Sequence, residues 1–192
     1  MEHALKRYLS CSFVLLVSAA CSQDAAGPTA PSIELTGAST VAAPEVPQNF
    51  RAHLSGREVA PALPVETLAQ GQAVLQLSPD GTGLSYHVIA SNIDNVVSAH
   101  VHLGTDGVRG PLVALLIGGF QPKAGRTDGV LSDGTLVSTN LFGPLLNHPL
   151  SDLIDAMRAG NVYVDIPTND GVPPGGTGPG DYPGGELRGQ LH

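Results

Sequence analysis

Tryptophan is absent, and the 192 residues include only two cysteines, two methionines and 4% aromatics. Charged residues make up 14%, against 24 glycines and 16 prolines. Such a composition argues against a helical bundle or coiled coil and suits short strands joined by turns. Basic residues are outnumbered 9 to 17, for a net charge of −8. No basic stripe is present to meet phosphates, so nucleic acid is not an expected partner. No serine nucleophile elbow, phosphate loop or paired-carboxylate spacing occurs, so the sequence presents no catalytic set.

The N-terminus carries an address. Lys6 and Arg7 precede a short, mostly apolar run from Tyr8 to Val17, which ends in Ser18-Ala19-Ala20. That is the pattern of a secretory signal peptide, residues 1–20, too short for a comfortable membrane span. The small residues lead directly into Cys21. The junction resembles a bacterial lipobox, in which the cysteine becomes the lipid-modified first residue, although Ser18 stands where Leu is usual. The expectation is a lipoprotein acylated at Cys21, with palmitate-type chains holding it to the membrane at about 0.8 kcal/mol per buried methylene. Ser22 rather than Asp implies the outer membrane. The alternative is ordinary cleavage after Ala20 and a secreted soluble protein. Cys11 lies inside the signal, so the mature chain has no cysteine left for a disulfide or a thiolate metal site. Residues 21–47, rich in small residues, Pro and Thr, read as a flexible tether. The remaining body, roughly 145 residues, is large enough to bury its own core.

From Asn49 the pattern is strand and turn. Phe50–Leu54 is a first strand, and in Gln72–Leu77 the residues Ala73, Leu75 and Leu77 share a face. Pro79-Asp80-Gly81 is a turn. Leu84, Tyr86, Val88 and Ala90 then alternate with Ser85, His87, Ile89 and Ser91. Asn92 to Asn95 are expected to reverse the chain. Val97, Ala99, Val101 and Leu103 follow as a core row, with Ser98, His100 and His102 opposite. Further strands are expected at Pro111–Ile117, Gly129–Val137, Asn161–Ile166 and Glu186–Leu191. One helix is expected over Leu150–Ala159, capped by Ser151 and ended by Gly160. These elements predict an all-β fold, an antiparallel Greek-key-like sandwich or barrel with one short helix.

Four ordered stretches carry a family resemblance. Leu54-Ser55-Gly56-Arg57-Glu58-Val59-Ala60-Pro61 is like an opening LSGxxEVPP, and Gly83-Leu84-Ser85-Tyr86 is like a GxLxY strand. Ala99-His100-Val101-His102-Leu103-Gly104 is like AHIHGP, with Leu103 displacing a Gly. Tyr182-Pro183-Gly184-Gly185-Glu186-Leu187-Arg188-Gly189-Gln190-Leu191 is like NPGGEIRGQL. Residues 48–192 therefore resemble a CHRD domain, the module named after chordin and also found in bacterial exported proteins. The resemblance implies an all-β fold and a poorly defined biochemical role. One departure is Tyr163-Val164-Asp165-Ile166-Pro167-Thr168, where the family runs like YVNVHT and Pro167 stands in place of a His.

His100 and His102, two apart on a strand, leave the same face. If the preceding strand is their hairpin partner, keeping both apolar rows on one face places His87 opposite His100, or opposite His102 after a slip of two. Opposed Cβ atoms lie about 4.5–5.5 Å apart, so either register gathers His87, His100 and His102. Three such imidazoles can bind Cu²⁺, Zn²⁺ or Ni²⁺, with copper favoured by the general affinity order. His87 would then substitute for the His missing at Pro167. The HxH strand is similar to one in copper–zinc superoxide dismutase, although no full ligand set is visible. The alternative is a solvated polar row without metal.

Weaker features complete the reading. Thr168-Asn169-Asp170-Gly171 and Gly180-Asp181 offer oxygen ligands without calcium-loop spacing, and read as a flexible surface loop. Glu186 and Arg188 share a face and are expected to pair or to fix the last turn. Three function classes follow: a lipid-anchored binding module that holds copper or zinc, a structural or adhesive module with a protein partner and no metal, and a dismutase-like redox metalloenzyme.

Overall fold

The computed structural model describes residues 49–59, 64–118 and 123–192; the signal peptide, Cys21 and the tether lie outside the described residues. The elements are β1 Asn49–Ser55, β2 Gln70–Leu77, β3 Leu84–Val96, β4 Ala99–Leu103, β5 Leu112–Ile117, β6 Lys123–Leu136, α1 Leu150–Arg158, β7 Val162–Ile166 and β8 Leu187–Gln190. The strands form one sheet in the order β5-β4-β7-β8-β1-β2-β3-β6, with every named pairing antiparallel. The two outer strands approach each other: the Ser132 hydroxyl on β6 donates to the Leu116 carbonyl on β5 at 2.6 Å. The expected all-β architecture is therefore realised as a nearly closed barrel with one α-helix among the described residues.

Strand alternation explains the core. Leu75, Leu84, Val88 and Val101 are fully buried, and Val97 nearly so. Leu77 and Tyr86 pack against that core partly buried. Phe50, Leu54, Leu116, Ile166 and Leu187 from other strands, with Ile93 further along β3, complete the interior. On α1, Leu153, Ile154 and Met157 form the buried face. Gly160, at φ +69°, ends the helix as expected. Its start differs: Pro149 occupies the N-cap without a side-chain cap, so Ser151 is already inside the first turn.

The expected reversal at Asn92–Asn95 does not occur. Asn92 and Asn95 have φ of +56° and +52°. They occupy irregularities of the β3–β6 pairing instead of a turn. Asn is among the few residues that tolerate this conformation, and it serves a bulge as readily as a turn. Asp128 Oδ1 accepts from the Asn92 N–H at 2.7 Å, and Asn95 bonds both Gly125 and Gly180. The strand thus bends and continues. Val96 bridges Thr168, His100 pairs with Asp165, and Leu103 pairs with Val162. From the end of β3 through β4 the chain runs along β7 in one sense, so β3 and β4 are not hairpin partners.

Candidate metal centre

The β4–β7 register places His100 opposite Asp165 and His102 opposite Tyr163. The β7–β8 register places Asp165 opposite Arg188 and Tyr163 opposite Gln190. Directly opposed residues share a face, so these six side chains form one polar field. Val101 and Val164 on the reverse side are buried in the core.

This field is largely withdrawn from solvent. Arg188, Tyr163 and Gln190 are 2%, 3% and 7% exposed. The segment after β4 covers them. Arg188 Nη2 donates to the carbonyls of Thr105 and Val108 at 2.9 and 3.0 Å. Gln190 Nε2 donates to the carbonyls of Gly104 and Gly160. The Gly110 N–H donates to the Tyr163 hydroxyl at 3.1 Å. The Arg188 guanidinium lies 3.6 Å from the Tyr163 ring centre. That ring also stacks on His102, with centroids 4.9 Å apart and planes 4° from parallel. His102 is thereby held by an aromatic platform as well as by its strand.

Hydrogen bonding fixes the imidazole further. His102 Nδ1 lies 2.9 Å from the Gly110 carbonyl oxygen. A carbonyl only accepts, so Nδ1 carries the proton and Nε2 is turned toward Asp165. Gly110 has to be glycine here, since a Cβ would lie 1.5 Å from the Leu103 carbonyl oxygen. Asp165 Oδ1 is 3.0 Å from His100 Nδ1 and 3.4 Å from His102 Nε2. His102 Nε2 is buried and makes no hydrogen bond. Burial lowers the His102 pKa, but the carboxylate of Asp165 beside the ring outweighs it and raises the value above the ordinary one. Burial conversely raises Asp165, and contacts with His100 and His102 outweigh it and lower the value.

His100, His102 and Asp165 each present one donor atom within 4.8 Å of the others. Bonds of about 2.0–2.2 Å to a common ion hold neighbouring ligand atoms roughly 3.0–3.5 Å apart. The distances from Asp165 Oδ1 to the two ring nitrogens, 3.0 and 3.4 Å, fall in that range. A ligating imidazole normally donates its second ring N–H to a carbonyl or carboxylate, as His102 does to Gly110. The residues therefore fit a divalent transition metal held by two nitrogens and one carboxylate.

Beside the three clustered residues lies a cleft of about 70 Å³, lined among others by His102, Asp165, Tyr163, Arg109, Arg188 and Leu187. Arg109 Nη2 donates to the Gly184 carbonyl at 3.1 Å. The Gly184-Gly185 pair keeps this wall open: a Cβ on Gly184 would lie 3.1 Å from Arg109 Nη2, and Gly185 has φ of +111°.

Of the three expected histidines, the structure brings together two. His87 lies on β3 between Val74 of β2 and Asp133 of β6, and is exposed. The place expected for it is taken by Asp165, which the sequence reading did not select. The signal was a lone carboxylate in the apolar strand Val162-Tyr163-Val164-Asp165-Ile166. In the YVNVHT pattern it stands at the Asn position, two residues before Pro167. His53 is exposed on β1, His148 pairs with Asp152 on α1, and His192 pairs through its backbone with Arg51.

Glu186 and Arg188 do not pair with each other. The buried Glu186 carboxylate accepts from the hydroxyls of Thr67 and Thr168, at 2.5 and 2.7 Å, and from the Gly180 N–H at 2.8 Å. The segment 169–185 is accordingly tied down: Thr168 and Asp181 are buried, and Asp181 Oδ2 accepts from the Thr177 N–H and hydroxyl. Among the described residues, no three-ligand cluster of His, Cys, Asp or Glu occurs other than His100, His102 and Asp165.

No helix among the described residues is long and apolar enough to cross a membrane. No curated protein and no solved structure matches the chain. The CHRD domain family model matches residues 50–177 of the 192, a span that holds β1 through β7 and all three clustered residues. With the barrel and the ordered motifs in agreement with that match, the chain belongs to the CHRD domain family.

Proposed function

We propose that this CHRD domain is a binding module for a divalent transition metal, copper or zinc, held by His100, His102 and Asp165. One observation carries the reading: the buried Nε2 of His102 has no hydrogen-bond partner and faces the Asp165 carboxylate across 3.4 Å. A neutral imidazole there directs a lone pair at a carboxylate lone pair, an arrangement that a cation between them would relieve. Copper is favoured over zinc by the affinity order for such nitrogen and oxygen ligands. A bound ion would keep coordination positions open for a further ligand. The test is metal analysis and calorimetric titration of the purified chain with Cu²⁺ and Zn²⁺. One ion per chain, lost in the double substitution His100→Ala/His102→Ala, supports the reading, and an inert wild-type chain overturns it.

A second reading has its own support. Protonated His102 and ionised Asp165 would form a buried ion pair, in keeping with the raised His102 and lowered Asp165 pKa values. The site would then be structural, and the domain an interaction module without metal. The same titration separates the two.

The address follows from the sequence: export by the signal peptide 1–20 and anchoring to the outer membrane through lipid on Cys21. Mass spectrometry of the mature N-terminus tests it, and an unmodified Cys21 would favour the secreted soluble form.

A further inference from the structure

The cleft beside the three clustered residues contains more positive charge than the metal reading uses. Arg188 lines it, is 2% exposed, and is bonded by its Nη2 only to backbone carbonyls. Among the described residues no carboxylate forms an ion pair with that guanidinium. Asp106, Asp165 and Glu58 act on it only through longer-range attraction. A guanidinium withdrawn from water without a carboxylate is costly unless another anion meets it. Arg109 lines the same cleft. The ligand set of two neutral imidazoles and one carboxylate would leave a divalent ion with an unneutralised positive charge in the same wall. Positive groups thus converge on one small opening in a protein whose net charge is −8.

Resting on the metal reading, we propose that this cleft admits a small anion as an additional ligand of the metal, held against the guanidinium groups of Arg109 and Arg188. Volume sets the class. About 70 Å³ of the cleft is open to the centre of a water-sized sphere, room enough for an ion of a few heavy atoms. The planar guanidinium fork suits linear or trigonal anions with two acceptor atoms. The glycines at 184 and 185 leave the Arg109 side of the wall unobstructed.

The test uses the purified chain loaded with Cu²⁺, with azide as the anion. The copper absorption spectrum recorded before azide reports on the metal centre alone. If it is absent, the metal centre and the anion site both fall, and that failure is recognised before azide is added. If it is present, azide is expected to produce a saturable ligand-to-metal charge-transfer band. Arg109→Gln, a change at an exposed position, is expected to weaken azide about tenfold, as for loss of one charge-assisted hydrogen bond. Arg109→Lys is expected to fall between, because it keeps the charge and loses the fork. Equal azide affinity in the wild type and Arg109→Gln would overturn the proposal, since the metal alone would then hold the anion. A wild-type copper spectrum that azide leaves unchanged would overturn it as well.

Discussion

His102 Nδ1 and the carbonyl oxygen of Gly110, eight residues apart in sequence, meet at 2.9 Å, and this contact determines which nitrogen of the ring faces Asp165. The segment between them therefore orients the His102 ring. Because a Cβ at position 110 would collide with the Leu103 carbonyl, Gly110→Ala has to displace the carbonyl that His102 uses. Metal affinity is expected to drop about 10- to 100-fold, the usual loss when an orienting partner is removed. Calorimetric titration checks this, with thermal melts to follow the accompanying destabilisation.

Asp165→Asn keeps the shape of the side chain and removes its charge. Burial then dominates at His102, so its pKa is expected to fall from above the ordinary value to below it. Proton NMR titration of the imidazole reads this directly. Metal affinity is expected to fall in the same variant, because an amide is a weaker ligand than a carboxylate.

The apo and metal-bound forms are expected to respond to pH with opposite sign. His102 has a raised folded-state pKa, so its contribution to stability is full below the unfolded value of about 6.5 and is lost as pH rises through the folded value. Asp165 has a lowered one, so its contribution is present above the unfolded carboxylate range and is lost as pH falls through the folded value. Metal binding requires neutral imidazoles, so the stabilisation it adds should grow as pH rises from 5 to 8, on the order of the His titration range. Melting curves with and without Zn²⁺ across that range should therefore diverge upward. A constant or shrinking difference contradicts the prediction.

Glu186 offers a test outside the clustered residues. Glu186→Ala leaves Thr67, Thr168 and the Gly180 N–H without their acceptor inside the protein. Destabilisation of about 3–5 kcal/mol is expected, as for other broken buried networks. Urea unfolding measures it.

Much of the barrel is legible in the sequence because strand alternation is local. The rows Leu84, Tyr86, Val88 and Val97, Ala99, Val101 announce their buried faces, and His100 and His102 announce a shared one. What alternation cannot say is which strand lies next door. His87 would join His100 and His102 only in a β3–β4 hairpin, and Asn92 and Asn95 bend β3 without reversing it. The partners of β4 are β5 and β7, and His100 meets Asp165 across 65 positions. Arg188 was likewise visible as a charged residue of the last strand. Its contact with Tyr163 depends on the β7–β8 pairing, which no local pattern encodes.

The position of β8 has a kinetic consequence. It lies between β7 and β1, so the earliest strand of the barrel finds its second neighbour only in residues 187–190. A folding chain must hold β1 with one edge bare until those residues dock. Closure between such distant segments is slow, placing refolding of this topology in the millisecond-to-second range, on the order typical of non-local β proteins. Arg188, which lines the cleft, arrives on that same last strand. A chain that pairs β4 with β7 before β8 docks therefore brings His100, His102 and Asp165 together while that side of the cleft is still missing.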